Sequence, residues 1–163
     1  GGRVDTADHQ MRAHRPLPSH TAALLSDTGG GPHGIACAAV RETHEETGLA
    51  IGPLKEGQLQ PDLSNLKYLA RAITPVHNPI RFNARFLMIE AEHTTGKLAG
   101  SGELLHLQWF DIDDALAMPL VDVTEFVLLE LKNRLNTTSF DDRVTPLFTY
   151  RNGKPVIRRI SHT

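Results

Sequence analysis

The chain has 163 residues, of which 40% are hydrophobic and 22% charged, and a formal net charge of -2. That length suits one compact domain, and that balance excludes wholesale disorder. The charge also excludes a surface built to grip long nucleic acids through their phosphates, which would be strongly basic. A single cysteine, Cys37, leaves no internal disulfide framework. No apolar run approaches the roughly 18 residues of a membrane span, so a cytoplasmic protein without membrane contact is expected.

In chain order, residues 1–33 are rich in Gly, Pro, Asp and His and read as irregular, with 26–32 a loop and a short helix at 21–25. A helix is predicted over 34–47, where Ala36, Cys37, Ala38 and Ala39 come early and charges late, and Gly48 ends it as a C-cap glycine does. Strands are predicted at 66–73, closed by Thr74-Pro75, at 81–91 and at 104–110. In the second of these Phe82, Ala84, Phe86 and Met88 share one face by period-two alternation, and Arg81 and Arg85 share the other. A short helix at 113–117 and an amphipathic one at 124–135, with Thr124 as its N-cap, precede a hairpin signalled by Asn152-Gly153. With no internal repeat, the fold class is α/β (α+β) with a mixed β-sheet, as a single domain over 1–163.

The segment Arg41-Glu42-Thr43-His44-Glu45-Glu46-Thr47-Gly48-Leu49 carries the chemistry. On a helix Glu42, Glu45 and Glu46 fall at i, i+3 and i+4, on one face. Like charges so spaced repel by roughly 0.2–0.5 kcal/mol per pair, and the nearby helix C-terminus disfavours anions further. A divalent cation reverses both penalties, and oxygen-only donors suit Mg²⁺ or Mn²⁺ better than zinc. A solvated Glu-rich face is the plainer alternative. His33 and Cys37 share helical i, i+4 spacing, but no second pair of zinc ligands accompanies them.

This segment resembles the second half of the Nudix box, G-x5-E-x7-R-E-U-x-E-E-x-G-U with U a bulky aliphatic. Arg41, Glu42, Glu45, Glu46, Gly48 and Leu49 match it, and Thr43 departs from the first U. The first half resembles Gly1-Gly2-Arg3-Val4-Asp5-Thr6-Ala7-Asp8. Gly2 plus five residues leads to Asp8 in place of the box glutamate, and Gly34 to Val40 then lead to Arg41. The box is therefore expected to be split by a loop insertion at 9–33. Downstream, Glu103 before Trp109-Phe110 and the following Asp113-Asp114-Ala115-Leu116 resemble a later strand and short helix of that family.

The resemblance implies an α/β/α sandwich whose first strands precede Gly1. It also implies a metal-dependent hydrolase cleaving a diphosphate linkage in a small nucleoside diphosphate derivative. Glu42, Glu45, Glu46 and the Gly1 carbonyl would hold Mg²⁺ or Mn²⁺. Glu46 or Glu103 would take a proton from the attacking water, Arg41 would orient a carboxylate, and Asp8 would support that set from behind. The catalytic set is thus Glu46, Glu103 and Arg41, with Arg81 and Arg85 as substrate contacts through phosphate or base. The family also allows a homodimer. Two alternatives stand beside this: a catalytically silent ligand-binding or regulatory module on the same fold, and an isomerase, which wants a reactive cysteine that Cys37 matches poorly.

Overall fold

The structure, a computed structural model, describes residues 2–74, 81–100, 104, 106–137 and 143–162. It is a mixed α and β fold with a mixed sheet. By contact the chain divides into two compact units, Gly1–Lys67 with Leu87–Trp109, and Tyr68–Phe86 with Phe110–Thr163.

The first unit is built around three helices, α1 (Thr6–Gln10), α2 (Ser19–Ser26) and α3 (Pro32–Thr47). Pro32 opens α3, where its missing N–H costs nothing. Ala36, Cys37 and Val40 then fall on one stripe and are buried with Ile51, Leu63 and Leu66. Met11, Ala13 and Leu17 pack against the same cluster, so much of the stretch 9–33 covers core rather than hanging free. That stretch carries α2 where a shorter helix at 21–25 is predicted, and Thr21 anchors α2 by donating to the Leu66 carbonyl at 3.1 Å.

Gly48 terminates α3 with φ of 74°, the left-handed geometry expected of it, and its N–H returns to the His44 carbonyl at 2.9 Å. Two short pairings follow. β1 (Leu49–Ala50) runs antiparallel to β6 (Thr95–Gly96), and β2 (Leu54–Lys55) runs antiparallel to β3 (Gln58–Leu59). A Cβ on Gly48 would lie 2.8 Å from the Lys97 carbonyl oxygen. Left-handed backbone costs a non-glycine residue roughly 1–2 kcal/mol. Gly48→Ala is therefore expected to lower the unfolding free energy by at least that amount, seen as an earlier urea midpoint at unchanged slope. Parental stability in that variant would refute the close approach.

The second unit holds most of a four-stranded sheet in the order β5 (Asn83–Met88), β4 (Lys67–Ile73), β7 (Val144–Arg151), β8 (Lys154–Ser161). β4 and β7 are parallel, with Arg71 opposite Leu147, and β7 and β8 form a long antiparallel hairpin. Asn152 and Gly153 turn that hairpin with φ of 52° and 73°, as the Asn-Gly pair predicts. α4 (Ile112–Leu116) is capped by Asp111, which accepts from the Asp113 N–H at 2.9 Å. α5 (Asp122–Asn136) packs on β7 through Phe126 and Phe148, with ring centroids 5.2 Å apart. Its buried Glu130 accepts from Arg159 of β8 at 2.7 Å.

Three expectations are corrected. The described residues of 104–110 form no strand: His106 has φ of 58°, which breaks an extended run, and Trp109 and Phe110 are exposed. α5 starts after Val121 rather than with Thr124 as its cap, because Thr124 N–H already bonds the Val121 carbonyl. The strand predicted over 81–91 narrows to Asn83–Met88, and a 3₁₀ turn takes Ala91–His93. No helix among the described residues is long and apolar enough to cross a membrane.

Candidate functional site

The acidic half of α3 is organised by Arg41. Its Nε donates to Asp8 Oδ1 at 2.9 Å and its Nη2 to Asp8 Oδ2 at 3.0 Å, a two-point fork between residues 33 apart in sequence. Asp8 is fully buried, and its Oδ2 also accepts the Asp5 N–H at 2.8 Å, so the carboxylate is well satisfied. The remaining guanidinium edge donates from Nη1 to Glu42 Oε1 at 2.6 Å and to Glu45 Oε2 at 2.9 Å. Nη2 reaches the Arg3 carbonyl at 3.2 Å.

One cation thus joins α1 to the acidic half of α3. The hydrogen bonds from Arg41 keep the Asp8 carboxyl below its usual range, against the opposing effect of burial. Reciprocally, Asp8 first and then Glu42 hold the guanidinium firmly protonated. Gly2 lies against the same cluster, where a Cβ would fall 2.1 Å from Glu42 Oε1. Only a residue without a side chain leaves the Glu42 carboxylate where it is.

The donor chemistry suits a hard divalent cation. Three carboxylates face one guanidinium, the contact set is net negative, and every donor is oxygen. As placed, Arg41 spans Glu42 and Glu45. Among the described residues the ligand atoms that lie within 4.8 Å of one another as a group of three belong to Glu90, Glu92 and His93, all exposed, and not to Glu42, Glu45 and Glu46. Glu42 and Glu46 are half-buried and Glu45 is exposed.

Of the other expected site residues, Gly1 and Glu103 lie outside the described residues. Arg81 and Arg85 belong to the second unit. There Arg81 is exposed, while Arg85 is half-buried and donates to the Asn83 carbonyl at 2.7 Å. Burial first, and then neighbouring Arg71, weaken the hold of Arg85 on its proton.

His44 is half-buried, and its Nδ1 is enclosed with no hydrogen-bond partner among the described residues. It lines a cavity of about 450 Å³ bounded by Arg41 and Glu45 on one side and by Met11, Arg12 and residues 58–60 on another. Sequence patterning gave no notice of that cavity. Gln58 and Gln60 are ordinary surface residues until β3 folds back toward α3.

Cys37 faces the core. Burial pushes its thiol up to about 11, and the Asp8 charge adds to the effect. A protonated, enclosed thiol is a poor nucleophile. Cys37 is therefore expected to be silent to a thiol-labelling reagent in the folded protein and to react only in denaturant. Stoichiometric labelling under native conditions would contradict its burial.

Comparison of the chain with models of known families, with curated proteins and with solved structures found no match.

Proposed function

We propose that this chain is a Nudix-type hydrolase that uses Mg²⁺ or Mn²⁺ to cleave a diphosphate linkage in a nucleoside diphosphate derivative, on an α/β/α sandwich of that family. The supporting observation is the fork between Asp8 and Arg41. A box interrupted over 9–33 requires its two parts to meet, and a contact between the residues read as its acid and its arginine supports that reading. Gly2 against Glu42 is a second junction of the same two segments.

In this reading Glu42, Glu45 and Glu46 would hold the cation, which when bound neutralises charge on the diphosphate oxygens and makes a water easier to deprotonate. Arg41, fixed by Asp8, sets the positions of the Glu42 and Glu45 carboxylates. Glu46 accepts the proton of the attacking water at its carboxylate, with Glu103 as the alternative base. Oxygen donors and a net negative cluster favour a magnesium-like ion over zinc.

The engagement of Glu42 and Glu45 by Arg41 supports a second reading, a binding module of the same fold without turnover. One assay separates the two. Phosphate or nucleotide release is measured over a panel of nucleotide sugars, dinucleotides, coenzyme A derivatives and nucleoside triphosphates, with and without Mg²⁺ or Mn²⁺. Metal-dependent release from any member supports the hydrolase. Saturable binding without release from any member supports the silent module.

A further inference from the structure

β7 and β8 are joined by two residues alone. The ladder closes with Arg151 opposite Lys154, which leaves Asn152 and Gly153 as the whole turn. Both are exposed, and both are left-handed, with φ of 52° and 73°. Among the described residues no hydrogen bond or ion pair engages the Asn152 carboxamide. A Cβ on Gly153 would meet nothing within 4 Å, so nothing crowds the tip. The flanking Arg151 and Lys154 are exposed as well. The other asparagines of the chain precede Leu66, Pro79, Ala84, Arg134 and Thr137, and Asn152 alone precedes a glycine.

That neighbour decides the chemistry. Once a base in solution has taken its proton, the Gly153 backbone nitrogen can bond to Asn152 Cγ. The Cγ bond to the side-chain nitrogen then breaks, and that nitrogen leaves as ammonia with a proton from water. The product is a five-membered succinimide ring. Water opens the ring at either carbonyl. Addition at Cγ restores the ordinary backbone and leaves an aspartate. Addition at the main-chain carbonyl leaves an isoaspartate, whose backbone runs through the side chain and is one carbon longer. A side chain on the following residue would hinder the first attack, and glycine has none.

The fold leaves this route open. The attack requires rotation of the Asn152 backbone, which glycine on its far side accommodates. Exposed tips open more readily than packed segments do. Arg151 and Lys154 on either side also favour the negatively charged nitrogen that attacks.

The two products differ in what they do to the hairpin. An Asp-Gly pair makes the same two-residue turn as Asn-Gly, and its new charge falls between two cations. A longer backbone cannot hold Arg151 opposite Lys154. A slipped register turns the side chains of β8 to the wrong face. Arg159 of β8 is the donor to the buried Glu130 of α5, so the slip would strand that carboxylate.

We propose that Asn152 is a site of spontaneous self-modification in the folded protein, and that its isoaspartyl product releases β8. The site does not depend on the hydrolase reading.

The test is to hold the full chain in mildly alkaline buffer, digest it at intervals and follow each asparagine by mass spectrometry. The Asn152 peptide should gain the amide-to-acid mass increase many-fold faster than any other asparagine peptide. Its products should separate into two species by chromatography, one of them a substrate for isoaspartyl methyltransferase. Asn152→Asp should keep the parental urea midpoint, and the purified isoaspartyl form should unfold at lower urea. Conversion of Asn152 no faster than that of the other asparagines overturns the site. So does an aspartyl product without isoaspartate, which would mean hydrolysis without the ring. An isoaspartyl form with the parental midpoint overturns the release of β8.

Discussion

Arg41→Ala is expected to destabilise the protein by about 3–5 kcal/mol, the usual result of removing one partner from a buried ion pair. Asp8 is fully buried, and its two longest-range hydrogen bonds come from that guanidinium. Without Arg41 the Asp8 carboxylate keeps only the Asp5 N–H. Arg41→Lys should recover little, because an ammonium cannot fork across both carboxylate oxygens.

The sign of the pH dependence makes the experiment sharper than the magnitude does. In the parent protein Arg41 holds the Asp8 pKa below its ordinary value. The resulting stability is fully present above the unfolded value, near about 3.9, and is lost as pH falls through the lower folded value. In Arg41→Ala, burial without a partner raises the Asp8 pKa instead. Its contribution is then present below the unfolded value and is lost as pH rises through the folded one. Urea unfolding between about pH 3 and pH 6 should therefore show this variant losing ground to the parent as pH rises. A stability gap that does not widen would mean that Asp8 is not a buried, paired carboxylate.

Glu46→Gln should lower metal-dependent turnover by about 10²–10⁴-fold, the range for losing a positioned proton acceptor. Glu45→Gln should lower it as well, by removing a metal donor. Neither change touches the buried pair of Asp8 and Arg41, so both variants should still fold, with activity read as initial rate with Mn²⁺ and folding as urea midpoint. Turnover that survives in both variants would place the chemistry away from α3.

What could be read from the sequence was local. α3 with its glycine stop, β4, α5 and the Asn152-Gly153 turn all follow from periodicity and turn chemistry within a dozen or so residues. The acids on one helical face needed only the 3.6-residue repeat. α1 was not legible, because five residues do not make a helix unaided. What holds it is the contact of Asp8 with Arg41, 33 residues away. The false strand at 104–110 shows the converse. Alternation there is real, but the left-handed backbone at His106 overrides it. Gln58 and Gln60 carry no pattern at all, and only the fold sets them beside one cavity with residues of α3.

The fork between Asp8 and Arg41 also bears on what covalent continuity contributes to this protein. The chain leaves α1 and returns to α3 at nearly the same place, with exposed Gly29 and Gly30 along the way. Exposed tips of small residues are where proteases cut most readily. A nick there would separate the segment bearing Asp8 from the helix bearing Arg41. The two pieces would still share the ion pair, and α2 would still pack on α3. The acidic centre would then behave as a two-fragment complex, with an occupancy set by concentration rather than by chain connectivity.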